Sequence, residues 1–256
     1  MKKYVLIATL GLMASVMYAN DAATAAKKFF DLKGSNDVYS KATMTIIDSN
    51  KNQKVREFEL FERNNGDTSD TFVRFLAPAD VKDTKFLTIG SKTGSDDQRI
   101  YLPALKKTRK ISSSDKTGKF VGSDLFYYDM ESKEFEDFTY KMLNDNAELK
   151  ESQFKTMSFY VIEQVSKDAE SPYSKSITYQ NKADNFIYKT EAFDKNGTLW
   201  KTMYMLSTKV IDGVIIPTDT LVVNNIEGTK TRIQVGDVKL NTGLNSAIFT
   251  IQNLEK

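Results

Sequence analysis

Apolar and polar residues alternate along most of the chain beyond residue 37, which is the pattern of β-strands with two distinct faces. Val38, Ser40, Ala42, Met44 and Ile46 share one face, and this segment ends at the turn DSNKN. Similar segments follow at short intervals, separated by turns such as NNGD at 64–67. The pattern predicts a single domain built from a meander of about eleven antiparallel strands, the last segments being VIIPTDTLVV, TKTRIQVGDVKL and AIFTIQNL.

The residues just before the strands have a helical period instead. A helix is predicted from about Asp21 to Leu32, with Asn20 or Asp21 as its cap and Gly34 just beyond its end. Its apolar face would consist of Ala22, Ala25, Ala26, Phe29 and Phe30.

Several strands have apolar residues on both faces, so both faces of the sheet need a cover. Phe72 and Leu76 oppose Val73 and Phe75 in one segment. Two architectures satisfy this pattern. One is a two-layer β-sandwich, and the other is a curved sheet with an apolar cavity under a helical lid.

The first nineteen residues resemble a secretory signal peptide, which leaves residues 20–256 as the mature domain. Lys2 and Lys3 precede an uncharged apolar run from Tyr4 to Met17, and the small residue Ala19 follows. This run is shorter than the ~20 residues that span a bilayer, although an N-terminal anchor is the alternative reading. No Cys follows the run, so acylation at an N-terminal cysteine is excluded, and a protein that is free in an extracytoplasmic space is expected.

Composition narrows the possible chemistry. The chain has 36 Lys and Arg against 34 Asp and Glu, and removal of Lys2 and Lys3 makes these numbers equal. A neutral domain argues against general nucleic-acid binding. The absence of Cys and His excludes a Ser-His-Asp triad, a cysteine nucleophile and a Cys/His zinc site.

No motif for catalysis or for a cofactor replaces the missing residues. The serines at 112–114 lack the Walker spacing, and the chain contains no GxGxxG motif. DKNG at 194–197 resembles the start of a calcium loop, but its Gly is misplaced and the distal Glu is missing, so a hairpin turn is expected. Paired carboxylates such as Asp96-Asp97 and Glu134/Glu136 have no spacing that indicates acid–base catalysis. We expect a protein that is not an enzyme and has no cofactor or metal; the alternative is a carboxylate-based enzyme that acts on envelope glycans or lipids.

A basic, serine-rich segment stands out in this balanced chain. Seven Lys or Arg lie between Arg99 and Lys119, against the single acidic residue Asp115. The following stretch, Asp124 to Asp137, has six acidic residues and only Lys133 as a base. The two segments could pair with each other, each exposed pair contributing little. Alternatively, the cations could dock on an anionic partner or on lipid headgroups.

The same region has a family resemblance. The segments RFLAPADVKDTKFL and DDQRIYLPALKKTRKISSS, together with F-x-GSD at Phe120 to Asp124, resemble the signature of the outer-membrane lipoprotein-sorting family, part of the LolA/LolB-like superfamily. The segments EAFDKNGTLWKTM, IDGVIIPTDTLVVN and VGDVKLNTGLNSAIFT are similar to its C-terminal hairpins.

This resemblance implies an incomplete antiparallel β-barrel that covers helices and encloses an apolar cavity. It also implies a periplasmic chaperone that carries lipoproteins or lipids between the inner and outer membranes, with transient membrane contact. Some relatives accompany RND-type exporters, so an accessory subunit docking on such an inner-membrane transporter is the alternative function.

Site residues follow from this hypothesis. The basic, serine-rich segment would be a mobile loop at the cavity mouth, and Leu125, Phe126, Tyr127 and Tyr128 would help to close the cavity. The predicted lining residues are Phe58, Leu60, Phe72, Ile100, Leu102, Phe126, Trp200 and Met203. The predicted docking residues for headgroups or a partner are Lys106, Lys107, Arg109 and Lys110.

Overall fold

The computed structural model describes residues 21–256, so the predicted signal peptide and Asn20 lie outside the described residues. A helix, α1, occupies residues 21–30. Thirteen strands follow: β1 (Asp37–Ile47), β2 (Gln53–Asn64), β3 (Ser69–Ala77), β4 (Lys85–Ile89), β5 (Asp97–Leu102), β6 (Lys107–Lys110), β7 (Phe138–Ala147), β8 (Phe159–Ser166), β9 (Lys175–Asn181), β10 (Ile187–Phe193), β11 (Leu199–Ile211), β12 (Val214–Asn224) and β13 (Thr229–Leu240). A short helix, α2 (Ile251–Leu254), ends the chain.

All described strands form one antiparallel sheet, which is open and corresponds to an incomplete barrel. Each strand pairs with its neighbour in the chain, with two exceptions. The first and last strands, β1 and β13, pair with each other at the centre, and β6 and β7 form the two edges. The predicted meander and incomplete barrel are therefore confirmed. The sheet has thirteen strands where about eleven were expected.

The two edge strands are joined by a long connection, residues 111–137, which must cross from one side of the sheet to the other. Phe120, Leu125 and Tyr127 of this connection are buried in a cluster with Phe75 and Phe86 of the sheet. We call the face that it covers the inner face. The ring centroid of Phe120 lies 6.0 Å from that of Phe75 and 5.1 Å from that of Phe86. The connection therefore fills the inner face over β1 to β6.

The outer face of β3 and β4 is covered by the C-terminus. Phe72 and Leu87 form a buried cluster with Phe249 and Leu254. Both apolar faces that the sequence showed in β3 are thus covered, by the connection on one side and by the C-terminal residues on the other.

The prediction that AIFTIQNL forms a last strand was wrong. Ser246–Phe249 form a 3₁₀ turn and Ile251–Leu254 form α2. Asn245 accepts a hydrogen bond from the backbone N–H of Ala247, and Thr250 accepts one from that of Asn253. Side chains that cap a helical turn in this way compete with strand pairing, and short apolar runs fit either period.

Helix α1 lies over β8 and β9 on the inner face. Ala22, Ala25 and Ala26 are buried against Ile162 of β8, and the side-chain amide of Gln180 in β9 donates to the carbonyl oxygen of Ala25 at 2.7 Å. The helix and its alanine face were predicted correctly, with the end at residue 30 in place of Leu32. Within residues 21–256, no helix combines the length and the hydropathy that a membrane-spanning segment requires.

Candidate functional site

A cavity of about 450 Å³ lies between α1, the end of the connection and the inner face of β7 to β12. Aromatic and aliphatic side chains make up most of its wall: Phe29, Phe30, Tyr128, Phe138, Tyr173, Phe186, Ile187, Ala192, Met203, Met205 and Val222. Its volume is within the range of about 300–1,000 Å³ that is usual for small-molecule sites. Two other grooves, each of about 580 Å³, have walls with a much larger polar share and offer hydrocarbon less apolar contact.

The size of the inner-face side chains explains why space remains in this half of the sheet. Ser176, Thr178, Thr190 and Ala192 face the cavity from β9 and β10, and each has a small side chain. In the other half, by contrast, Phe58, Phe75 and Phe86 of the strands pack against the connection. Because the side chains of β9 and β10 are small and the connection does not fill the space above them, a cavity remains there. Phe29 and Phe30 of α1 close it from one side.

One wall of the cavity contains a buried polar cluster. The ammonium of Lys201 in β11 donates to Asp129 Oδ2 at 2.9 Å, and the hydroxyl of Tyr173 donates to Asp129 Oδ1 at 2.7 Å. The backbone N–H of Phe126 also donates to Asp129 Oδ2, at 2.8 Å. All three side chains of the cluster line the cavity.

The surroundings of Lys201 and Tyr173 shift the pKa values of both side chains. Burial lowers the pKa of Lys201, against the opposing effect of the Asp129 carboxylate. Burial and then the Asp129 charge raise the pKa of Tyr173 well above its ordinary value, so the phenol remains a neutral donor. The cavity therefore combines a buried polar cluster on one wall with a lining that is mainly apolar.

Aromatic rings surround the Lys201 ammonium. Its Nζ lies 3.1 Å from the ring centroid of Phe126, 5.7 Å from that of Tyr173 and 5.9 Å from that of Trp200. The Phe126 ring in turn meets Trp200 edge to face at 4.9 Å. Cation–π contacts of this kind partly offset the cost of burying the charge.

Of the eight predicted lining residues, the structure places Met203 in the cavity wall. Phe58 and Ile100, with Leu60 and Leu102 packed against them, belong to the cluster beneath the connection. The remaining three lie elsewhere: Phe72 is on the outer face, and Phe126 and Trp200 surround Lys201. Among the residues predicted to close the cavity, Tyr128 lines it, whereas Leu125 and Tyr127 pack in the cluster beneath the connection.

Sequence reasoning missed most of the wall, including Phe29, Phe30 and Phe186, as well as the Asp129–Tyr173–Lys201 cluster. The sequence did contain evidence for Phe29 and Phe30. They were predicted on the apolar face of a helix, and such a face packs against another part of the protein. Nothing local indicates the polar cluster, since its three members come from distant parts of the chain.

The predicted docking residues lie at the other side of the sheet. Lys107, Arg109 and Lys110 are in the edge strand β6, and Lys106 is in the turn before it; all four are exposed. Arg109 approaches Asp115 at 3.2 Å and Lys110 approaches Asp97 at 3.6 Å. Lys106 and Lys107 have no ion pair among the described residues, and the neighbouring Leu105 is 63% exposed.

Pairing between the basic and acidic segments occurs at one position. Lys116 is 4% exposed and lies 2.9 Å from Glu131, with Glu170 at 3.5 Å. These carboxylates raise the pKa of Lys116, although burial alone would lower it. Lys119 instead pairs with Glu227. Ion pairing between the two segments thus applies to Lys116, which anchors the connection. Lys106 and Lys107 have no such pair, so the alternative, docking on an anionic partner, applies to them.

Comparison with known proteins gives a family and a fold. A family model described as "Uncharacterized protein" matches residues 67–256. None of the curated proteins matches the sequence significantly.

Two solved structures are similar in both sequence and fold. A putative outer membrane lipoprotein-sorting protein domain from Vibrio parahaemolyticus is 29% identical with a TM-score of 0.83, covering 93% of this chain and 100% of its own. A DUF1329 family protein from Desulfovibrio piger ATCC 29098 is 25% identical with a TM-score of 0.86, covering 93% and 99%.

A third structure extends the likeness of fold. A LolA superfamily protein from Nitrosomonas europaea is 18% identical with a TM-score of 0.71, covering 91% of this chain and 98% of its own. The open antiparallel sheet, the family match along most of the chain and the similarity to a lipoprotein-sorting domain agree with one another. The chain belongs to the family whose model matches residues 67–256, and its fold is LolA-like, as the resemblance to the outer-membrane lipoprotein-sorting family implied.

Proposed function

We propose that this protein is a periplasmic carrier that holds the acyl chains of lipoproteins or lipids in the cavity under α1 and moves them between the inner and outer membranes. The observation that supports this most directly is the apolar cavity of about 450 Å³ on the inner face. The similarity to a lipoprotein-sorting domain supports the same class of cargo.

The physical basis is the hydrophobic effect. An acyl chain in water exposes apolar surface at a cost of about 0.8 kcal/mol per CH₂, which a cavity of matching character removes. Met203 and Met205 contribute flexible side chains that adapt to acyl chains of different shape. Since α1 closes one side of the cavity, a small displacement of this helix would open a path for the cargo.

The proposal includes export of the chain and a single carrier domain at residues 20–256. The N-terminal residues 1–19 would direct secretion and then be removed. We assign no catalytic step to the site, because its buried carboxylate is held by three donors and faces no nucleophile such as Cys or His.

Filling the cavity tests the carrier function. Thr190 lines the cavity, and Thr190→Trp would place an indole in the space that the proposal assigns to an acyl chain. Native mass spectrometry of protein purified without detergent should show co-purified lipid on the wild type and at least a tenfold lower occupancy on this variant. Thr139→Trp, on an exposed position of β7, is the matched control and should retain the lipid. A wild-type protein that is empty, or equal occupancy in all three proteins, would contradict the proposal.

The alternative function is an accessory subunit that docks on an RND-type inner-membrane exporter and carries no lipid. The exposed Leu105, Lys106 and Lys107 at the β5–β6 turn favour a docking surface there, for such a partner or for anionic headgroups. An apolar side chain flanked by cations is suited to either contact.

Charge reversal at this turn separates docking from folding. Lys106→Glu with Lys107→Glu should reduce binding to vesicles containing anionic lipid, or capture of an exporter, at least fivefold, and the effect should shrink at high salt. The melting temperature should hardly change, since neither lysine has an ion pair among the described residues. Lys51→Glu with Lys54→Glu gives the same change in net charge at another turn and should leave binding intact. Equal loss in both double variants would show a net-charge effect and refute a docking surface.

A further inference from the structure

We propose that the cavity selects an anionic amphiphile, with the carboxylate or phosphate head bound at Lys201 Nζ and the hydrocarbon tail lying against Phe29, Phe30 and Phe186. This inference rests on the proposed carrier function and adds the class of ligand and the residue that recognises it.

The first step is the unused bonding capacity of Lys201. An ammonium has three N–H donors. Among the described residues, Lys201 Nζ makes one hydrogen bond, to Asp129 Oδ2 at 2.9 Å. Its side chain is 5% exposed, so bulk water has little access to the remaining donors. A buried cation with spare donors at a cavity wall is a binding group for an anionic oxygen.

The second step concerns Asp129, whose charge could repel such a ligand. Its Oδ1 accepts from the Tyr173 hydroxyl at 2.7 Å, and its Oδ2 accepts from Lys201 Nζ and from the backbone N–H of Phe126 at 2.8 Å. These three hydrogen bonds hold the Asp129 side chain in place. Asp129 therefore orients the ammonium, while the donors of Lys201 that it does not use are available to a ligand.

The third step is the charge of the cavity wall as a whole. Three lysines line the cavity, Lys133, Lys175 and Lys201, and Asp129 is the one carboxylate among the described lining residues. Lys133 pairs with Glu131 and Lys175 pairs with Glu163, and neither glutamate lines the cavity. The side chains of Lys133 and Lys175 are 29% and 36% exposed, so they can meet an arriving anion before it reaches Lys201.

Together these features specify an amphiphile. A neutral lipid would bring no anionic oxygen to the Lys201 donors that Asp129 and the Phe126 ring do not use, and a cationic one would meet three ammonium groups. A small anion alone would forgo the apolar wall, which is most of the surface. A chain with one anionic end satisfies both parts of the cavity.

The experiment uses the intrinsic fluorescence of Trp200, the only tryptophan in the chain, which lies next to Lys201 in sequence and 4.9 Å from the Phe126 ring. Full-length mature protein, purified without detergent and stripped of lipid, is titrated with four probes that share a twelve-carbon chain. These are laurate, dodecyl phosphate, dodecanol and dodecyltrimethylammonium. We expect laurate or dodecyl phosphate to bind at least tenfold more tightly than dodecanol, and the cationic probe to bind most weakly. The comparison of laurate with dodecyl phosphate distinguishes a fatty-acid head from a phospholipid-type head.

A double variant, Lys201→Met with Asp129→Asn, tests the assignment of the residue. Both charges are removed together because Lys201→Met alone would leave a buried, uncompensated carboxylate. This variant should lose the tenfold preference for the anionic probes and keep its affinity for dodecanol. Lys189→Met with Glu191→Gln is the matched control: this ion pair, 2.9 Å long, is also mostly buried, but neither residue lines the cavity. It should bind all four probes like the wild type.

The outcomes separate this inference from the proposed function. If dodecanol binds the wild type as tightly as the anionic probes, the head-group assignment is refuted while the carrier function stands. The same conclusion follows if the folded double variant keeps the preference. If no probe binds, both are refuted. Because the wild-type comparison needs no substitution, a double variant that fails to fold leaves the inference testable.

Discussion

At the scale of single residues, Asp37 shows how one carboxylate can join distant parts of the chain. It begins β1, is 6% exposed and accepts hydrogen bonds from the backbone N–H groups of Thr242, Gly243 and Leu244 at 2.8 to 3.3 Å. The Thr242 hydroxyl donates as well, at 3.0 Å. Burial by itself raises the pKa of Asp37, but the hydrogen bonds outweigh it and lower the pKa.

This lowered pKa predicts an acid-dependent contribution to stability. The unfolded chain has an ordinary Asp pKa of about 3.9. The contribution of Asp37 is therefore fully present above about pH 4 and is lost as the pH falls through the lower pKa of the folded state. Asp37→Asn should cost about 1–3 kcal/mol at neutral pH, since it weakens the hydrogen bonds that three backbone N–H groups donate to a buried carboxylate. It should also flatten the fall in stability below pH 4.

Urea denaturation between pH 2.5 and pH 7 measures both effects. Asp212→Asn is the control, because this exposed side chain has no hydrogen bond among the described residues and its backbone φ of 51° suits Asn. An unchanged acid limb in Asp37→Asn would mean that other carboxylates determine the pH dependence.

At the scale of elements, α1 is held against the sheet by its small residues. Ala22, Ala25 and Ala26 allow the helix backbone to approach Ile162 closely. Gln180 fixes the position of the helix on the sheet by a hydrogen bond to the Ala25 carbonyl oxygen. The same placement brings Phe29 and Phe30 to the cavity. The position of one helix therefore determines both the packing of β8 and β9 and the closure of the cavity.

Enlarging the alanine face should displace α1. Ala26 is 1% exposed, so Ala26→Leu overpacks the contact with the sheet and should cost about 1–3 kcal/mol. Chemical denaturation measures this loss, and lipid occupancy by native mass spectrometry should change with it. Lys28→Leu adds an apolar side chain on the exposed side of the same helix and should be nearly neutral. If Ala26→Leu is also neutral, α1 is not packed as described.

At the scale of the whole molecule, the connection from β6 to β7 divides the inner face into a filled half and a hollow half. Its residues Phe120, Leu125 and Tyr127 complete the core over β1 to β6. Asp124 anchors it to β13, where the hydroxyls of Thr229 and Thr231 donate to its carboxylate. Farther along, Tyr128, Asp129 and Lys133 of the connection line the cavity together with β9 and β10 and do not fill it.

The filled half should therefore be far more sensitive to truncation than the exposed surface. Phe120 is 2% exposed, and Phe120→Ala should cost about 3–5 kcal/mol because it removes an aromatic ring from a packed core. Leu105→Ala, at a position 63% exposed, should change stability by no more than about 0.5 kcal/mol. Equilibrium unfolding in guanidinium chloride compares the two. A small loss for Phe120→Ala would show that the connection lies on the sheet without supporting it.

Much of the fold could be predicted from local patterns. Alternation in β1 and β2 and turns such as DKNG, in which the Gly197 N–H donates to the Asp194 carbonyl oxygen, gave the meander. The C-terminal segment was wrongly predicted as a strand, because Ala247, Phe249 and Ile251 place apolar residues at alternate positions, as in a strand. Asn245 and Thr250 instead cap helical turns there. The predicted wall residues Phe58, Leu60, Ile100 and Leu102 have the right type and face, but they lie in the half that the connection fills.

By itself, the sequence determined the antiparallel strands, the helix that precedes them and the need to cover two apolar faces, because each of these follows from the period of neighbouring residues. The tertiary structure decided which half of the inner face stays hollow and which side chains gather at its polar wall. Those features depend on where the connection crosses the sheet and on contacts such as Asp129 with Lys201, 72 residues apart, which no local period can encode.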